Sequence, residues 1–589
     1  MIGRSGRVGG RSVGAIVGLL CGLVALGPSL APGYLLHYDL VFVPRLALSD
    51  RTMGVDGSVP RAVPNDFVVA LLSHLAPGWV VEKALLLAVF VLVGAGVGAL
   101  MRSRLGAASA ALVAAWNPYV AERLAIGHWG YLLGYACVPF LVAGAAAVRR
   151  DEPRARTRLA CWLLLSAATG STGAVLGLIV VLSVLAMRSG NQTSTRRRVG
   201  EFGWALGIFV LASATWWFAY LFLAPSQGTS RVGVEAFMAK ADTPWGVLGS
   251  LVTGGGIWNE GVWFSERQSL VVSGLALLVV VAAVALAVRE RVWRAGAGLS
   301  GLTVAGVVGL VLAAASAVPG GRQLMTVVVT DLPGGGLLRD AQKFVGLWVL
   351  LVAVLAGRLV ERVHAAGVAS GAQRVAALTI AGVVACWPVV TLTGLAWGAG
   401  GQWRAVDYPA SYTGMAERID ASPAGGVAVF PWALYRQYSF DHDVVVLDPW
   451  QRLLDREVLV NDDLPLLGGT VVPGESPDAH RITTALHSGS GLVSALRDGG
   501  VRYVLVQTDQ PMTGDIRQVT SRSPVASAAD LRLYDLGTAG VRAPASSGPG
   551  RYTGWVLAGF AVVVVAANSA RDRKRGIEGD IEGDAEQAP

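Results

Sequence analysis

Charge is scarce in this chain. Of its 589 residues only 15% are Asp, Glu, Lys or Arg and 53% are hydrophobic, which excludes an ordinary soluble domain and points to a polytopic membrane protein. The mean hydropathy of +0.53 agrees. Cysteine is rarer still: Cys21, Cys137, Cys161 and Cys386 all lie within apolar runs, and none falls in the long polar segment near the C-terminus. That segment holds no disulfide, so cysteine does not report its compartment. The signatures of soluble enzymes are missing too, with no CxxC, no HExxH, no Walker loop and no GxSxG in a plausible setting. No internal repeat is visible. The formal charge of +8 could suggest nucleic acid, but the basic residues fall in short clusters beside apolar runs, where they orient membrane spans. No nucleic-acid partner is expected.

What the chain does have is apolar runs. Stretches near 13–32, 79–100, 105–117, 130–147, 201–223, 269–288, 297–318, 344–361, 374–397 and 553–568 are span candidates, some of them short. Arg4, Arg7 and Arg11 precede the first, which reads as a retained helix because "ALGPSLAPGYLL" extends it to about the 20 residues a span needs; a cleaved signal peptide is the alternative. The stretch 159–187 is flanked by Arg149, Arg150, Arg154, Arg156 and Arg158 on one side and by Arg188 and Arg196–Arg198 on the other. Positive charge stays cytoplasmic, so the chain must go out and return, turning at "TGSTG", 169–173, as two short helices. The sum is a multi-pass plasma-membrane protein of about twelve membrane helices with both termini cytoplasmic. The clusters at Arg102 and Arg104, Arg289–Arg294, Arg358 and Arg362, and "RDRKR" at 571–575 all fall on the inner side of that topology. The acidic tail, 571–589, is expected to be disordered.

The outer side then receives the loops 33–78, 117–130, 224–268 and 319–343 and the block 399–551. In the first loop "PNDFVVALLSHLAP", 64–77, suits a short interfacial or bundle-packed helix with Asn65 as N-cap. The block changes composition, with β-rich runs at 426–432, 444–448, 501–509 and 531–537 and helical pieces "SYTGMAERID" and "GLVSALRDGG" between them. A transmembrane domain at 1–398 is therefore expected to lead into an extracytoplasmic α/β domain at 399–551 and a last membrane helix at 552–570.

Ionisable residues crowd the outer ends of the spans. Asp39 follows His37 and Tyr38 just beyond the first helix, where a carboxylate can take a proton from a sugar hydroxyl or coordinate a divalent cation. It can equally be a solvated loop aspartate, as can Asp50, Asp56 and Asp66. The second loop, "WNPYVAERLAIGHWGYLLGY", offers Glu122 as a second acid for the same cavity, with Arg123, His128 and Trp129 among aromatic residues that anchor helices or stack on sugars. A local pair of Glu122 with Arg123 is the alternative. In "GGGLLRDAQKF", Arg339 and Lys343 stand four apart before a span and make a site for a lipid phosphate, unless they snorkel or pair with Asp340. Glu260 belongs to an aromatic loop, 250–264, suited to closing over a substrate or simply to connecting spans. Glu82 with Lys83, and Asp448 with Trp450, admit both kinds of reading.

These features resemble the GT-C superfamily of integral-membrane glycosyltransferases. "WNPYVAERLAIGHWGYLLGYACVPF" and "LLRDAQKF", with "DYPASYTGMAERID" and "GGVRYVLVQTD" later, look like the actinobacterial envelope enzymes of arabinofuranosyl and mannosyl type. The likeness covers most of the chain in architecture. It implies a donor sugar, pentofuranose or hexose, on a polyprenyl phosphate in the membrane, and a glycan or glycolipid acceptor deprotonated by Asp39. Arg339 and Lys343 would stabilise the leaving phosphate. Glu122 and His128 would orient the acceptor or assist a cation, and His37, Tyr38, Arg123, Trp129 and Glu260 would contact substrate. The single Asp after "HY", in place of an acidic pair, leaves a divalent cation possible but not required. Two rival classes stay open. A lipid-linked sugar transporter is disfavoured by the near absence of charge at mid-span, and a non-catalytic envelope-assembly protein would keep the shape without the chemistry.

Overall fold

The computed structural model describes residues 4–188, 194–223, 231–366, 371–466, 469–512, 514–538 and 549–586. Residues 224–230 of the third expected loop and 587–589 of the tail lie outside them. Among the described residues seven helices are long and apolar enough to cross a membrane: Gly9–Leu30, Gly78–Gly98, Trp129–Arg149, Leu270–Arg289, Ala297–Ala315, Ala341–Ala365 and Gly550–Asp572. Two further pairs, Thr195–Ala212 with Ala214–Phe222 and Ala381–Thr391 with Thr393–Gly401, bend by 67° and 60° and raise the number to nine if each is one span. The expected twelve are not reached because some apolar runs fold into helices that are too short. Arg104–Ala115, for example, has 12 residues, about 18 Å at ~1.5 Å per residue against a hydrocarbon core of about 30 Å. The double-flanked stretch is a hairpin of Ala155–Ala168 and Ser171–Ala186, turning inside the expected "TGSTG".

The basic clusters collect at one end of the bundle, where acidic residues tie them together. Glu361 accepts the backbone N–H groups of Arg102 and Ser103, both at 2.8 Å, Glu290 pairs with Arg358 and Arg362, and buried Glu201 holds Arg149 at 2.8 Å and Arg197 at 3.1 Å. The outermost spans both have their chain-terminal ends here. A Cβ on Gly9 would lie 3.5 Å from Arg104 Nε, and Thr157 donates to Asp572 at 2.7 Å. The last helix runs on from Thr553 to Glu586, where a disordered tail had been expected after 570; no proline interrupts it.

The first span packs on Gly78–Gly98 backbone to backbone. Gly10, Gly14 and Gly18 recur every four residues and so share one helix face, opposite Gly94 and Gly98. A Cβ on Gly14 would come to 2.1 Å from the Gly94 carbonyl oxygen, and one on Gly94 to 2.2 Å from that of Gly14. Small residues allow this approach, and dispersion then holds the pair in an apolar solvent. Gly14→Leu meets rigid backbone and is expected to cost about 1–3 kcal/mol, read as a clear drop in the melting temperature of the detergent-solubilised protein. An unchanged melt would show that the two helices separate freely.

The α/β domain stands on the opposite end of the bundle. Its five-stranded sheet has the order Ala526–Ala528, Leu531–Asp535, Val501–Gln507, Gly426–Phe430, Val458–Leu459, with the last three strands parallel and the first two antiparallel. The interior strand "GVAVF" is apolar throughout because both its faces are covered. Three of these strands fall within the β-rich runs of the sequence, and the two edge strands, Ala526–Ala528 and Val458–Leu459, lie outside them. A separate hairpin, Tyr435–Gln437 with Val445–Leu447, leaves this sheet and reaches the first loop. Tyr38 N–H donates to Val445 O at 2.7 Å, and Leu447 N–H donates to Tyr38 O at 2.8 Å. Tyr34–Leu35 pairs in addition with Ala405–Val406. The first loop is thus stitched to the domain at two places. One correction concerns the helix Asn65–Ser73: Pro64 takes the capping position and Asn65 is already helical. The Asn65 amide is used elsewhere, filling the space beside Gly130 and Gly170.

Candidate active site

Asp39 is placed by its neighbours on both sides. Tyr38 has φ +46°, a conformation costing about 1–2 kcal/mol for a residue with a side chain, and the two bonds to the Val445–Leu447 strand hold it there. The Asp39 N–H donates to Ile126 O at 3.1 Å. Gly127, at φ +88°, lies directly against the Asp39–Leu40 peptide, and a Cβ on it would meet Leu40 N at 2.1 Å and Asp39 C at 2.7 Å. Only glycine fits. Gly127→Ala should push Asp39 aside and lower any activity that depends on it by roughly 100-fold. Turnover measured on a variant that still folds checks this; an unaffected rate would mean that Asp39 need not be held in place.

The carboxylate receives two donors. Tyr435 Oη–H donates to Oδ1 at 2.5 Å, and His128 Nε2 stands 3.2 Å from Oδ2. The other ring nitrogen of His128, Nδ1, is 2.9 Å from Arg123 Nη1. A guanidinium only donates, so Nδ1 accepts and the ring proton sits on Nε2, facing Asp39. Arg123 in turn is wholly buried and grips Asp340 with both nitrogens, at 2.5 and 2.9 Å, and also Gln342 Oε1. Tyr435, Asp39, His128, Arg123 and Asp340 form one chain of hydrogen bonds. Burial works to raise the Asp39 carboxyl, but the His128 and Tyr435 bonds and the Arg452 charge outweigh it and hold the group below the usual carboxylate range. Asp340 is likewise low: burial opposes it, and Arg123 prevails. Asp39 is ionised near neutrality, yet its side chain keeps 35% exposure.

Glu122 corrects the sequence reading. It does not share a cavity with Asp39, because neighbouring residues on a helix point about 100° apart. While Arg123 turns to His128, Glu122 is wholly buried with Oε2 accepting Ile257 N–H at 3.2 Å and Oε1 lying 3.9 Å from Arg267. Arg267 is paired with Asp242 at 2.5 Å. Burial first, and the Asp242 charge second, push the Glu122 carboxyl well above its ordinary range. It is a packing acid, and the local Glu122/Arg123 pair is not formed either.

Of the remaining expected contacts, His37 is a support. Its ring packs against Tyr38 and Trp403, at 5.0 and 6.3 Å between centroids, and burial pulls it down to about 4, although a bond donated to the Ala125 backbone opposes this. Trp129 packs on Phe42 at 5.4 Å. The Tyr38 hydroxyl meets the aromatic loop beside Gly261, while Glu260 is drawn off to Lys240 at 2.9 Å. Of the other first-loop acids, Asp50 pairs with Arg551 at 2.6 Å and Asp66 with Arg452 at 3.2 Å.

Arg339 and Lys343 lie in two 3-10 turns, Gly335–Leu338 with its flanking residue and Ala341–Phe344, instead of one α-helical turn. Both nevertheless face the same region. Lys343 is 5% exposed, and among the described residues it makes no hydrogen bond and no close ion pair, although the Asp340 charge acts on it; Nζ stands 5.6 Å from the centroids of Tyr131 and Phe344. Arg123 shares the Tyr131 ring at 5.8 Å. Arg339 lies 4.5 Å over Phe237 and 3.4 Å from Glu475 of the α/β domain, a carboxylate shared with Arg61 at 3.0 Å. The Asp340 charge that acts on Lys343 is already gripped by Arg123, and a buried cation so weakly compensated is costly. An anionic ligand would relieve it.

The sequence reading missed Tyr435, Gln342, Arg61, Arg452 and Glu475, and no local signal marks any of them. Asp340 stood inside a quoted motif with its partner wrongly assigned. Among the described residues no three His, Cys, Asp or Glu side chains gather; the two oxygens of Asp39 each accept one hydrogen bond and keep a further lone pair.

The bundle, its outer loops and the docked domain match solved structures in fold. One solved structure they match is arabinofuranosyltransferase AftD from mycobacteria, determined by single-particle cryo-EM, with a TM-score of 0.50 and 17% identity over 90% of this chain and 40% of that one. A mutant of the same enzyme gives 0.50 and 18% over 90% and 41%. At such identity the likeness is one of fold, and the chain spans about 40% of AftD's length. No protein-family model matches the sequence, and no curated protein does.

Proposed function

We propose that this protein is a membrane glycosyltransferase that moves a pentofuranose or hexose from a polyprenyl phosphate to a hydroxyl of a cell-envelope glycan or glycolipid. The observation that carries the reading is Asp39, an ionised, partly open carboxylate fixed by two donors, with the unpaired and buried Lys343 nearby. The acceptor hydroxyl gives its proton to Asp39 as its oxygen attacks the anomeric carbon. The bond from that carbon to the phosphate oxygen breaks, and its electron pair leaves on the lipid phosphate. Lys343 and Arg339 meet the charge that develops there. His128 and Tyr435 aim the base and carry no proton away. By the positive-inside rule the basic end of the bundle faces the cytoplasm, so both termini lie inside and the reaction takes place at the extracytoplasmic rim beneath the α/β domain. The AftD fold favours an arabinofuranosyl donor among the pentofuranoses. A non-catalytic assembly role has no use for a positioned, ionised acid beside a bare cation.

The full-length protein in liposomes, supplied with a polyprenyl-phosphate sugar and a short glycan acceptor, is expected to form the extended glycan. If neither arabinofuranosyl nor mannosyl donor is consumed, and deletion of the gene leaves the masses of the envelope glycans unchanged, the reading falls. A pH profile adds a sharper check. A base held below the usual carboxylate range stays charged as acid is added, so the rate should be flat from about pH 8 to about pH 5 and fall only beneath that. An acid limb near neutrality would assign the base to another group.

A further inference from the structure

Glu475 holds an unusual position. It belongs to the α/β domain, yet its two carboxylate oxygens are divided between Arg61 of the first loop, at 3.0 Å, and Arg339 of the loop before the Ala341–Ala365 span, at 3.4 Å. One carboxylate therefore bridges two cations from separate parts of the bundle, as two oxygens of a phosphate would. The same cations border the proposed site. Arg61 acts on Tyr435, the donor to Asp39, and Arg339 stands one residue from Asp340 at the far end of the hydrogen-bonded chain.

The backbone around Glu475 is firmly held. Asp462 Oδ2 accepts the N–H groups of Glu475 and Ser476 at 2.6 and 2.9 Å, Asp463 accepts that of Gly474 at 2.7 Å, and Ser476 caps the helix Pro477–Ser488. The side chain is the loose part. Its ion pairs are partly open, with side-chain exposures of 51% for Arg61, 27% for Arg339 and 17% for Glu475, and such pairs are weak. Rotation of one glutamate side chain frees both arginines without moving the domain.

We propose that Glu475 is an internal stand-in for the donor phosphate: it occupies the anion position between Arg61 and Arg339 in the free protein, and the phosphate of the lipid-linked sugar displaces it. Arg61 then joins Arg339 and Lys343 around the phosphate. The proposal rests on the polyprenyl-phosphate reading above and adds a competitor built into the chain. A donor without a phosphate group would leave Glu475 in place.

The test measures binding of two probes, a polyprenyl monophosphate in nanodiscs and inorganic phosphate, to the full-length protein and to Glu475→Gln, Arg61→Gln and the double variant. Removing the competitor is expected to tighten phosphate binding roughly fivefold to tenfold, the scale of one or two exposed ion pairs. Arg61→Gln should weaken binding, and in the double variant the gain from Glu475→Gln should be largely lost. If Glu475→Gln leaves both affinities unchanged or weakens them, the glutamate is no stand-in. If that variant does not fold, Arg61→Gln alone decides: unaltered phosphate binding overturns the proposal. A gain for inorganic phosphate with no binding of the polyprenyl monophosphate would keep Glu475 as a displaceable anion while removing the lipid donor.

Discussion

Asp39→Asn is expected to lower sugar transfer by about a thousandfold, within the range that positioned general bases contribute, while the protein still folds and inserts. The amide keeps the size of the carboxylate and can still accept the Tyr435 hydroxyl, and its other edge loses only the bond from His128. One neutral hydrogen bond at a partly exposed group is worth about 1 kcal/mol, too little to unfold the chain. The measurement is a single-turnover transfer assay alongside a thermal melt. A variant that melts normally and retains more than a tenth of the rate would remove Asp39 from the reaction, and a rate lost together with the melt would leave the role structural.

Arg123→Met should have the largest effect on stability. It strips Asp340 of both its bonds, leaves Gln342 without a donor and removes the group that fixes the His128 tautomer. Breaking a buried pair from one side leaves the other charge without compensation, at a cost of about 3–5 kcal/mol. The single variant is expected to melt far below the parent or to accumulate poorly. Adding Asp340→Asn should restore much of the melting temperature, because the orphaned charge is gone, without restoring transfer, because His128 is still free to present either nitrogen to Asp39. Equal loss in the single and double variants would show that packing of the guanidinium, not its charge, holds the loops together.

Hydropathy and arginine placement located most of the spans, the hairpin at 169–173 and the three inner strands of the α/β domain, because burial in lipid or in a sheet centre writes a periodic, local record in the chain. The count of about twelve membrane helices was not confirmed because apolar length alone does not say whether a run crosses: Arg104–Ala115 is apolar but buried among other helices. Asp39, Arg123 and His128, which the structure joins by hydrogen bonds, could be singled out because polar groups gather at the ends of apolar runs. Glu122 misled for the same reason. Sequence places it beside Arg123, and only the helix rotation sends one to Asp340 and the other to Asp242. Tyr435 and Glu475 left no trace, since what defines them is a partner in a distant loop.

That distance has a consequence for how the protein is made. Tyr435 meets Asp39 across 396 positions of chain, and at synthesis rates of about 5–20 residues per second the first loop waits roughly 20–80 s for the hairpin that completes its surroundings. During that interval the nascent bundle can insert with its base unaligned, so competence for chemistry arrives only when the last folding unit docks. The surroundings of Asp39 are thus completed late, by a segment made long after the loop that carries it.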